Sequence, residues 1–84
     1  MNATLELIDT TNVKIGRKAL AELAGERDST LKFYSEQGLL PYYQAGPGLA
    51  RRYDPREAMA RLREIDTLQK MGLDIEQIKE RLTV

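Results

Sequence analysis

The sequence contains no cysteine and no histidine among its 84 residues. Without cysteine there is neither a disulfide framework nor a thiolate metal site. Without histidine, histidine-based catalytic triads, HExxH zinc sites and most acid–base chemistry near neutral pH are excluded. No other catalytic constellation is visible, so we expect no enzyme activity, no cofactor and no metal site.

Long hydrophobic runs are also missing. No apolar run approaches the ~18 residues of a membrane span, and no basic stretch followed by an apolar one marks a signal peptide. We therefore expect a cytoplasmic, nucleoid-associated protein with no membrane partner. Apolar residues make up 42% of the chain and charged residues 31%, a composition typical of a small folded domain rather than of disorder.

The net charge is zero, because 13 basic residues balance 13 acidic ones, whereas a nucleic-acid-binding domain is often strongly basic. The charges are unevenly distributed, however. Residues 14–63 carry ten basic and six acidic side chains, a net charge of +4, and the segments on either side each carry −2. A basic middle between acidic ends leaves a nucleic-acid partner open.

A first helix is predicted from residue 17, after a short strand or extended entry at 13–15. Its apolar face combines Leu20, Leu23 and Ala24 at three- and four-residue spacing. Gly16 can cap its start, and Gly25 follows its end, where a left-handed residue is favoured. Residues 1–12 have weak strand character, so we divide the chain into a tail, 1–12, and a domain, 13–84.

A second helix follows almost at once. Asp28 is its expected N-cap, Leu31 and Tyr34 lie on its apolar face, and Gly38 ends it. Tyrosines then flank a Gly-Pro-Gly turn at 46–48. This pattern predicts a hairpin that pairs residues 42–45 with 50–53.

Two further helices have strong start signals. Asp54 followed by Pro55 is typical of a helix start, and Asp74 with Gln77 three residues later is a capping box. The expected core stripes are Met59, Leu62, Ile65, Leu68 and Met71 in the third helix and Ile75, Ile78 and Leu82 in the fourth. The order helix, turn, helix, hairpin, helix, helix indicates a mainly α fold with a small β-hairpin: a winged helix-turn-helix of four helices, with the wing between the second and third.

Two short helices joined by a turn that contains glycine form the helix-turn-helix layout. Ala21 is the small residue that lets the helix axes approach, and Gly25 is the turn residue four positions later. Residues 30–41, TLKFYSEQGLLP, resemble the recognition-helix signature of the MerR family of bacterial transcription regulators. Residues 50–53, ARRY, are similar to that family's wing, and the resemblance extends over about residues 13–83.

The resemblance implies sequence-specific binding to double-stranded promoter DNA and a role in transcription regulation. It also implies a homodimer in the full-length form, with a long C-terminal helix and an effector region. We expect this chain to be either a DNA-binding fragment or a minimal regulator, monomeric on its own and binding one half-site weakly. It holds none of the family's metal- or redox-sensing ligands. Its departures from the family pattern, each of which weakens a polar contact, are Ser29, Lys32, Phe33 and Ala50.

The expected DNA contacts come from three places. The side of the second helix opposite Leu31 fits the major groove, and the hairpin arginines can reach a phosphate or the minor groove. Two basic residues open the first helix beside its unpaired N–H groups, where an anion is favoured. The candidate DNA-binding residues are Arg17, Lys18, Ser29, Thr30, Lys32, Phe33, Arg51 and Arg52.

Structural alternatives exist for several of these residues. Phe33 could belong to the core under the hairpin, Lys32 could pair with Glu36, and the arginines could be solvated surface. Two alternative functions also stay open at this point: an excisionase-like architectural DNA-binding factor, and a protein-interaction module on the same fold. A salt titration separates the last from any DNA binder, whose affinity falls steeply with salt.

Overall fold

The structure, a computed structural model, describes residues 13–83. The predicted tail, residues 1–12, lies outside the described residues, as does residue 84. The elements are β1 (Ile15–Gly16), α1 (Arg17–Ala24), α2 (Asp28–Glu36), β2 (Arg52–Tyr53), α3 (Pro55–Lys70) and α4 (Ile75–Leu82). This mainly helical arrangement with one small antiparallel sheet confirms the winged helix-turn-helix prediction. Within residues 13–83, no helix is long and apolar enough to cross a membrane.

All of these elements contribute to one hydrophobic core. Its fully buried large side chains are Leu20, Leu31, Leu39, Leu40, Tyr53, Ile65 and Ile78. Burying each such side chain favours folding by about 1.5–3 kcal/mol. Since helices of eight or nine residues are marginal in isolation, α1, α2 and α4 depend on this shared core for their stability.

The predicted helix starts at Asp54 and Asp74 are confirmed. The Asp54 carboxylate accepts hydrogen bonds from the backbone N–H groups of Arg56 and Glu57 at 3.0 and 3.1 Å. Asp74 and Gln77 form the reciprocal capping box, with distances of 2.8 and 2.9 Å. These two caps fix where α3 and α4 leave the preceding loops.

The turn between α1 and α2 depends on Gly25. Its φ of 69° lies in the left-handed region, which side chains other than glycine adopt only at a cost. The backbone N–H of the next residue, Glu26, donates a hydrogen bond to the Ala21 carbonyl at 3.0 Å and closes the end of α1. This confirms Gly25 as the turn residue.

The hairpin is shorter than predicted, and its second strand also pairs with β1, a pairing that was not predicted. Tyr43 and Arg52 form its single pair, with backbone hydrogen bonds of 2.7 and 2.8 Å. The returning strand β2 also pairs antiparallel with β1, through Ile15 opposite Tyr53. The wing, residues 42–53, is therefore anchored on the strand that precedes α1, because β1 pairs with the edge of β2 that faces away from Tyr43.

Asp28 is not the N-cap of α2, contrary to the prediction. It is the first residue of the helix, and Arg27 occupies the N-cap position with an extended backbone. The Asp28 carboxylate binds Arg17 instead of the backbone N–H groups of its own helix. The predicted N-cap position is therefore wrong by one residue, because the Asp28 carboxylate is engaged by Arg17 and does not cap the helix.

Two apolar side chains expected in the core are exposed instead. Leu23 is 58% exposed, because the buried side of α1 is centred on Leu20, Ala21 and Ala24, and Leu23 lies about 100° around the helix from that centre. Met71 is 62% exposed, since α3 ends one residue earlier and the chain turns at that point.

A buried pair of hydroxyl groups joins α2 to β2. Ser35 Oγ donates to the Leu31 carbonyl at 2.8 Å and lies 2.8 Å from Tyr53 Oη. Because the single hydroxyl proton of Ser35 is used on Leu31, Tyr53 is the donor between the two side chains. Every hydroxyl in this group has a partner, so the burial of polar atoms costs little here.

Side chains of α3 and α4 hold the C-terminal end of α2. Arg61 Nη1 donates to the Leu39 carbonyl at 2.9 Å, and Gln69 Nε2 donates to Tyr34 Oη at 3.2 Å. Lys79 Nζ lies 3.3 Å from the side-chain oxygen of Gln37. The two C-terminal helices thus brace α2 from the side opposite its exposed face.

Removing the Tyr53 hydroxyl is expected to destabilise the fold without changing its shape. Tyr53→Phe leaves the ring in place and deletes one buried hydrogen bond, which is worth about 0.5–1.5 kcal/mol. Urea unfolding should show a lower midpoint with an unchanged m-value. Tyr42→Phe is the matched control. Tyr42 is 37% exposed, so removing its hydroxyl group should leave the urea midpoint unchanged. Equal midpoints for Tyr53→Phe and the unaltered chain would contradict a role for this hydrogen bond.

Candidate nucleic-acid interface

Four of the eight predicted contact residues lie on α2. Leu31, Tyr34 and Ser35 are buried, which turns the other side of the helix outward. Phe33 is 42% exposed, so the alternative that it lies in the core is wrong. The remaining predicted residues of this helix are Ser29 and Lys32, which are exposed, and Thr30, which is half-buried.

The wing tip is closed by short-range hydrogen bonds. Gln44 Nε2 donates to the Leu49 carbonyl at 2.8 Å, and the Leu49 N–H donates to Gly46 at 3.1 Å. Tyr43 Oη donates to Glu57 Oε1 at 3.1 Å, which ties the wing to the first turn of α3. This hydrogen bond to a carboxylate raises the pKa of the Tyr43 phenol above its usual value. The wing is therefore held in position at its tip and at its base.

Two cations of this region lie over tyrosine rings. The Arg51 guanidinium carbon is 4.6 Å from the centre of the Tyr42 ring, and Lys14 Nζ is 4.7 Å from the centre of the Tyr43 ring. Both are within the range of favourable cation–π contact.

Sequence reasoning missed Lys14, although it lies two residues before Gly16, which pairs with Arg52. The period-two alternation of a strand could have indicated only that Lys14 and Gly16 share a sheet face; the pairing of Gly16 with Arg52 is seen in the structure.

A groove of about 360 Å³ runs between α2 and the wing. We call it the wing groove; it is lined by Gly16, Arg17, Lys32, Glu36, Gln44, Leu49, Ala50, Arg51 and Arg52. Four of the predicted residues line this groove, and all four are basic: Arg17, Lys32, Arg51 and Arg52. Glu36 is the one acidic residue among the lining residues. Lys18, Ser29, Thr30 and Phe33 are not among the lining residues and lie on the adjoining surfaces of α1 and α2.

Arg17 is engaged by the protein itself. Its Nε and Nη2 donate to the two carboxylate oxygens of Asp28 at 2.9 and 3.1 Å, a bidentate geometry. The hydrogen bonds from Arg17 hold the pKa of Asp28 below its usual value, and the same pair raises the pKa of Arg17. Since both groups are accessible to solvent, the pair contributes little to stability, but it fixes the position of Arg17 at the edge of the wing groove.

The ion pairs formed within residues 13–83 do not include Lys32. The alternative in which Glu36 neutralises Lys32 is therefore not observed in this part of the chain. Within the same residues, acidic side chains form no cluster that could hold a metal ion. The wing groove thus offers positive charge on a fixed frame, which is suited to an anionic partner.

The family model described as "MerR HTH family regulatory protein" matches residues 17–83. The chain belongs to this family. The match extends over the helix-turn-helix, the wing and both C-terminal helices, and it confirms the resemblance of residues 30–41 and 50–53. Membership places the chain among DNA-binding, helix-turn-helix transcription regulators.

A curated relative of this MerR-family chain is a mercuric resistance operon regulatory protein from Serratia marcescens. The two are 34% identical over 71 residues, which cover 84% of this chain and 47% of the relative. The chain therefore spans about half the length of this relative. The shared part includes the elements that form the wing groove.

Breaking the Arg17–Asp28 pair is expected to raise the pKa of Asp28. In Arg17→Gln, the charged hydrogen bonds that stabilise the carboxylate are lost, so its titration midpoint should rise toward the usual value of about 3.9. A carboxyl-detected NMR titration measures this midpoint. Because the pKa of Asp28 is depressed in the folded chain, its stabilising contribution is present above pH ~4 and is lost as the pH falls through the depressed value.

The control for this titration is Lys18→Gln. Lys18 acts on Asp28 only as a minor charge at a distance, so its loss should move the midpoint far less than the loss of Arg17. Equal midpoints in Arg17→Gln and the unaltered chain would show that the pair is not formed in solution.

Proposed function

We propose that this chain binds double-stranded DNA sequence-specifically and regulates transcription, with α2 in the major groove and the wing beside it. The observation that carries the proposal is the convergence of Arg17, Lys32, Arg51 and Arg52 on the wing groove. These residues come from three separate parts of the chain. Their convergence gives a protein of zero net charge a local basic surface, which a phosphate backbone requires.

The exposed face of α2 supplies the groups for reading bases. Lys32 can donate to the O6 and N7 acceptors of guanine, and the methyl group of Thr30 can contact thymine. Phe33 adds exposed apolar surface for a sugar or a thymine methyl. Since lysine lacks the bidentate geometry of arginine, we propose a base preference that depends on several weak contacts together with the shape of the DNA.

The wing supplies contacts to the DNA backbone. Arg52 is exposed, and Arg51 and Lys14 are positioned by the tyrosine rings beneath them. Cations held on rigid aromatic surfaces lose little freedom on binding, which favours the complex. We propose that these side chains, together with Lys18 and Ser29 on the adjoining helix surfaces, neutralise phosphates on either side of the groove that α2 occupies.

Dimerisation would double this interface. A winged helix-turn-helix dimer contacts two half-sites one helical turn of DNA apart, and linking two binding modules raises the overall affinity strongly. We propose a homodimer on a pseudo-palindromic promoter for the regulator, a monomer on one half-site for this chain alone, and a cytoplasmic location in both cases.

Selection from a random pool of DNA duplexes at low salt tests this proposal and identifies the preferred site. We expect an enriched motif of one half-site, with an affinity that falls linearly on a plot of log K against log salt concentration. Cooperative occupation of tandem sites would instead favour an architectural factor. The absence of binding at low salt would contradict the proposal and favour a protein-interaction module.

Arg52→Ala is expected to weaken binding to all duplexes about equally and to flatten the salt slope by about one unit, because one phosphate contact is lost. Fluorescence anisotropy across a series of salt concentrations measures both quantities. Arg81→Ala is the matched control, since Arg81 lies on α4, away from the wing groove. If both variants gave the same slope as the unaltered chain, the wing would have no phosphate contact at Arg52.

Asp28→Asn is expected to strengthen DNA binding by releasing Arg17. The freed guanidinium can contact a phosphate, a gain of about 1 kcal/mol, or a factor of about five in affinity. The gain should be smaller in an Arg17→Gln background, where only the loss of a negative charge remains. An equal gain in both backgrounds would show that Arg17 does not reach the DNA, and weaker binding would show that the ion pair positions α2.

A further inference from the structure

An acidic side chain, Glu36, lies within the otherwise basic wing groove. It is the last residue of α2, and its side chain is exposed. Ser29 and Phe33 precede it at spacings of four and three residues and are also exposed, whereas Leu31 is buried. Because residues three and four apart lie on one side of a helix, Glu36 continues the outward face of α2. It therefore faces any duplex that this side of α2 contacts.

Two of the groove cations are held by groups other than Glu36. Arg17 donates to both carboxylate oxygens of Asp28, and the Arg51 guanidinium lies over the Tyr42 ring. Within residues 13–83, none of the ion pairs includes Glu36. The acid is therefore not neutralised by the cations that line the same groove.

The other polar groups of the groove are also directed elsewhere. The Arg52 guanidinium lies over Gly16, where an added Cβ would come within 3.5 Å of its Nη1 atom. The Gln44 amide donates to a backbone carbonyl of the wing tip. Lys32 lies one helical turn before Glu36, but this order of lysine and glutamate is the less favourable one for a helical ion pair. The Glu36 carboxylate thus keeps its acceptor oxygens for a partner.

The chemistry of the major groove restricts which partner a carboxylate can accept from. Phosphates repel it, so it favours binding only where the duplex offers a hydrogen-bond donor. The donors on base edges are the N4 amino group of cytosine and the N6 amino group of adenine. Guanine presents only acceptors there, and thymine an acceptor and a methyl group. Since the acceptor N7 lies beside N6 in adenine, cytosine is the better match, and a carboxylate selects against the other bases.

We propose that Glu36 is a specificity-determining residue, which selects a cytosine in the half-site by accepting a hydrogen bond from its N4 amino group. The assignment rests on the proposed DNA binding. Lys32, four residues earlier, is suited to guanine. Four residues of helix span ~6 Å, close to two base-pair steps of ~3.4 Å. The preferred half-site should therefore contain a guanine and this cytosine, on either strand, within about two steps of each other.

Glu36→Gln tests the assignment, because the amide keeps an acceptor oxygen, adds a donor and can pair with N6 and N7 of adenine. Selections from one random pool of DNA duplexes at low salt, with the unaltered chain and with the variant, should enrich motifs that differ at one position, where adenine replaces cytosine. Fluorescence anisotropy on the two enriched duplexes should show the ratio of their affinities changing by about tenfold. Glu36→Ala should lose the preference for cytosine without gaining one for adenine.

Glu80→Gln is the matched control, because Glu80 is exposed on α4, lies outside the wing groove and carries the same charge. It should leave the motif and the affinity ratio unchanged. If Glu36→Gln bound all duplexes more tightly by one common factor, with an unchanged motif, the carboxylate would act only by repelling phosphates. That result would overturn the assignment of Glu36 and leave DNA binding intact. Absence of binding by the unaltered chain at low salt would overturn the proposed DNA binding, and the role of Glu36 with it.

Discussion

The buried hydrogen bond between Tyr53 and Ser35 joins the wing to α2 across 18 positions of sequence. Breaking this contact would leave the buried Tyr53 hydroxyl without its partner, whereas Ser35 would keep its hydrogen bond to the Leu31 carbonyl; an unpaired hydroxyl is costly in a low-dielectric interior. The same Tyr53 pairs with β1 through its backbone. One residue therefore fixes the wing relative to both helices of the helix-turn-helix, and the spacing of the cations in the wing groove depends on it.

The zero net charge of the chain is consistent with a local DNA interface. Ten basic side chains lie between residues 14 and 63, and the wing groove is lined by residues of β1, α1, α2 and the wing, all within that segment. Arg17 is already bound to Asp28, so Lys32, Arg51 and Arg52 are the lining cations outside that pair. A surface with so few cations attracts DNA weakly at a distance. Specific contacts, or a second copy of the domain, must then supply more of the affinity.

Short-range signals made much of the fold predictable. The caps at Asp54 and Asp74 and the turn at Gly25 each depend on residues within five positions, so their sequence patterns identified them correctly. Arg17 and Asp28 are 11 positions apart, and their contact follows from the angle between α1 and α2. Leu23 was misassigned because a three- and four-residue spacing does not define the centre of a helix's buried face. The Arg17–Asp28 contact and the exposure of Leu23 both depend on how α1 packs against the rest of the fold, which local sequence patterns do not define.

One face of the molecule, formed by α2 and the wing, is expected to contact DNA. Titrating the isotope-labelled chain with a selected duplex and following backbone amide shifts tests this directly. Shifts concentrated in residues 28–33 of α2 and 50–53 of the wing, with α4 unchanged, are the expected result. Shifts concentrated on α3 and α4, or no shifts at low salt, would contradict the assignment of the wing groove as the DNA-binding surface.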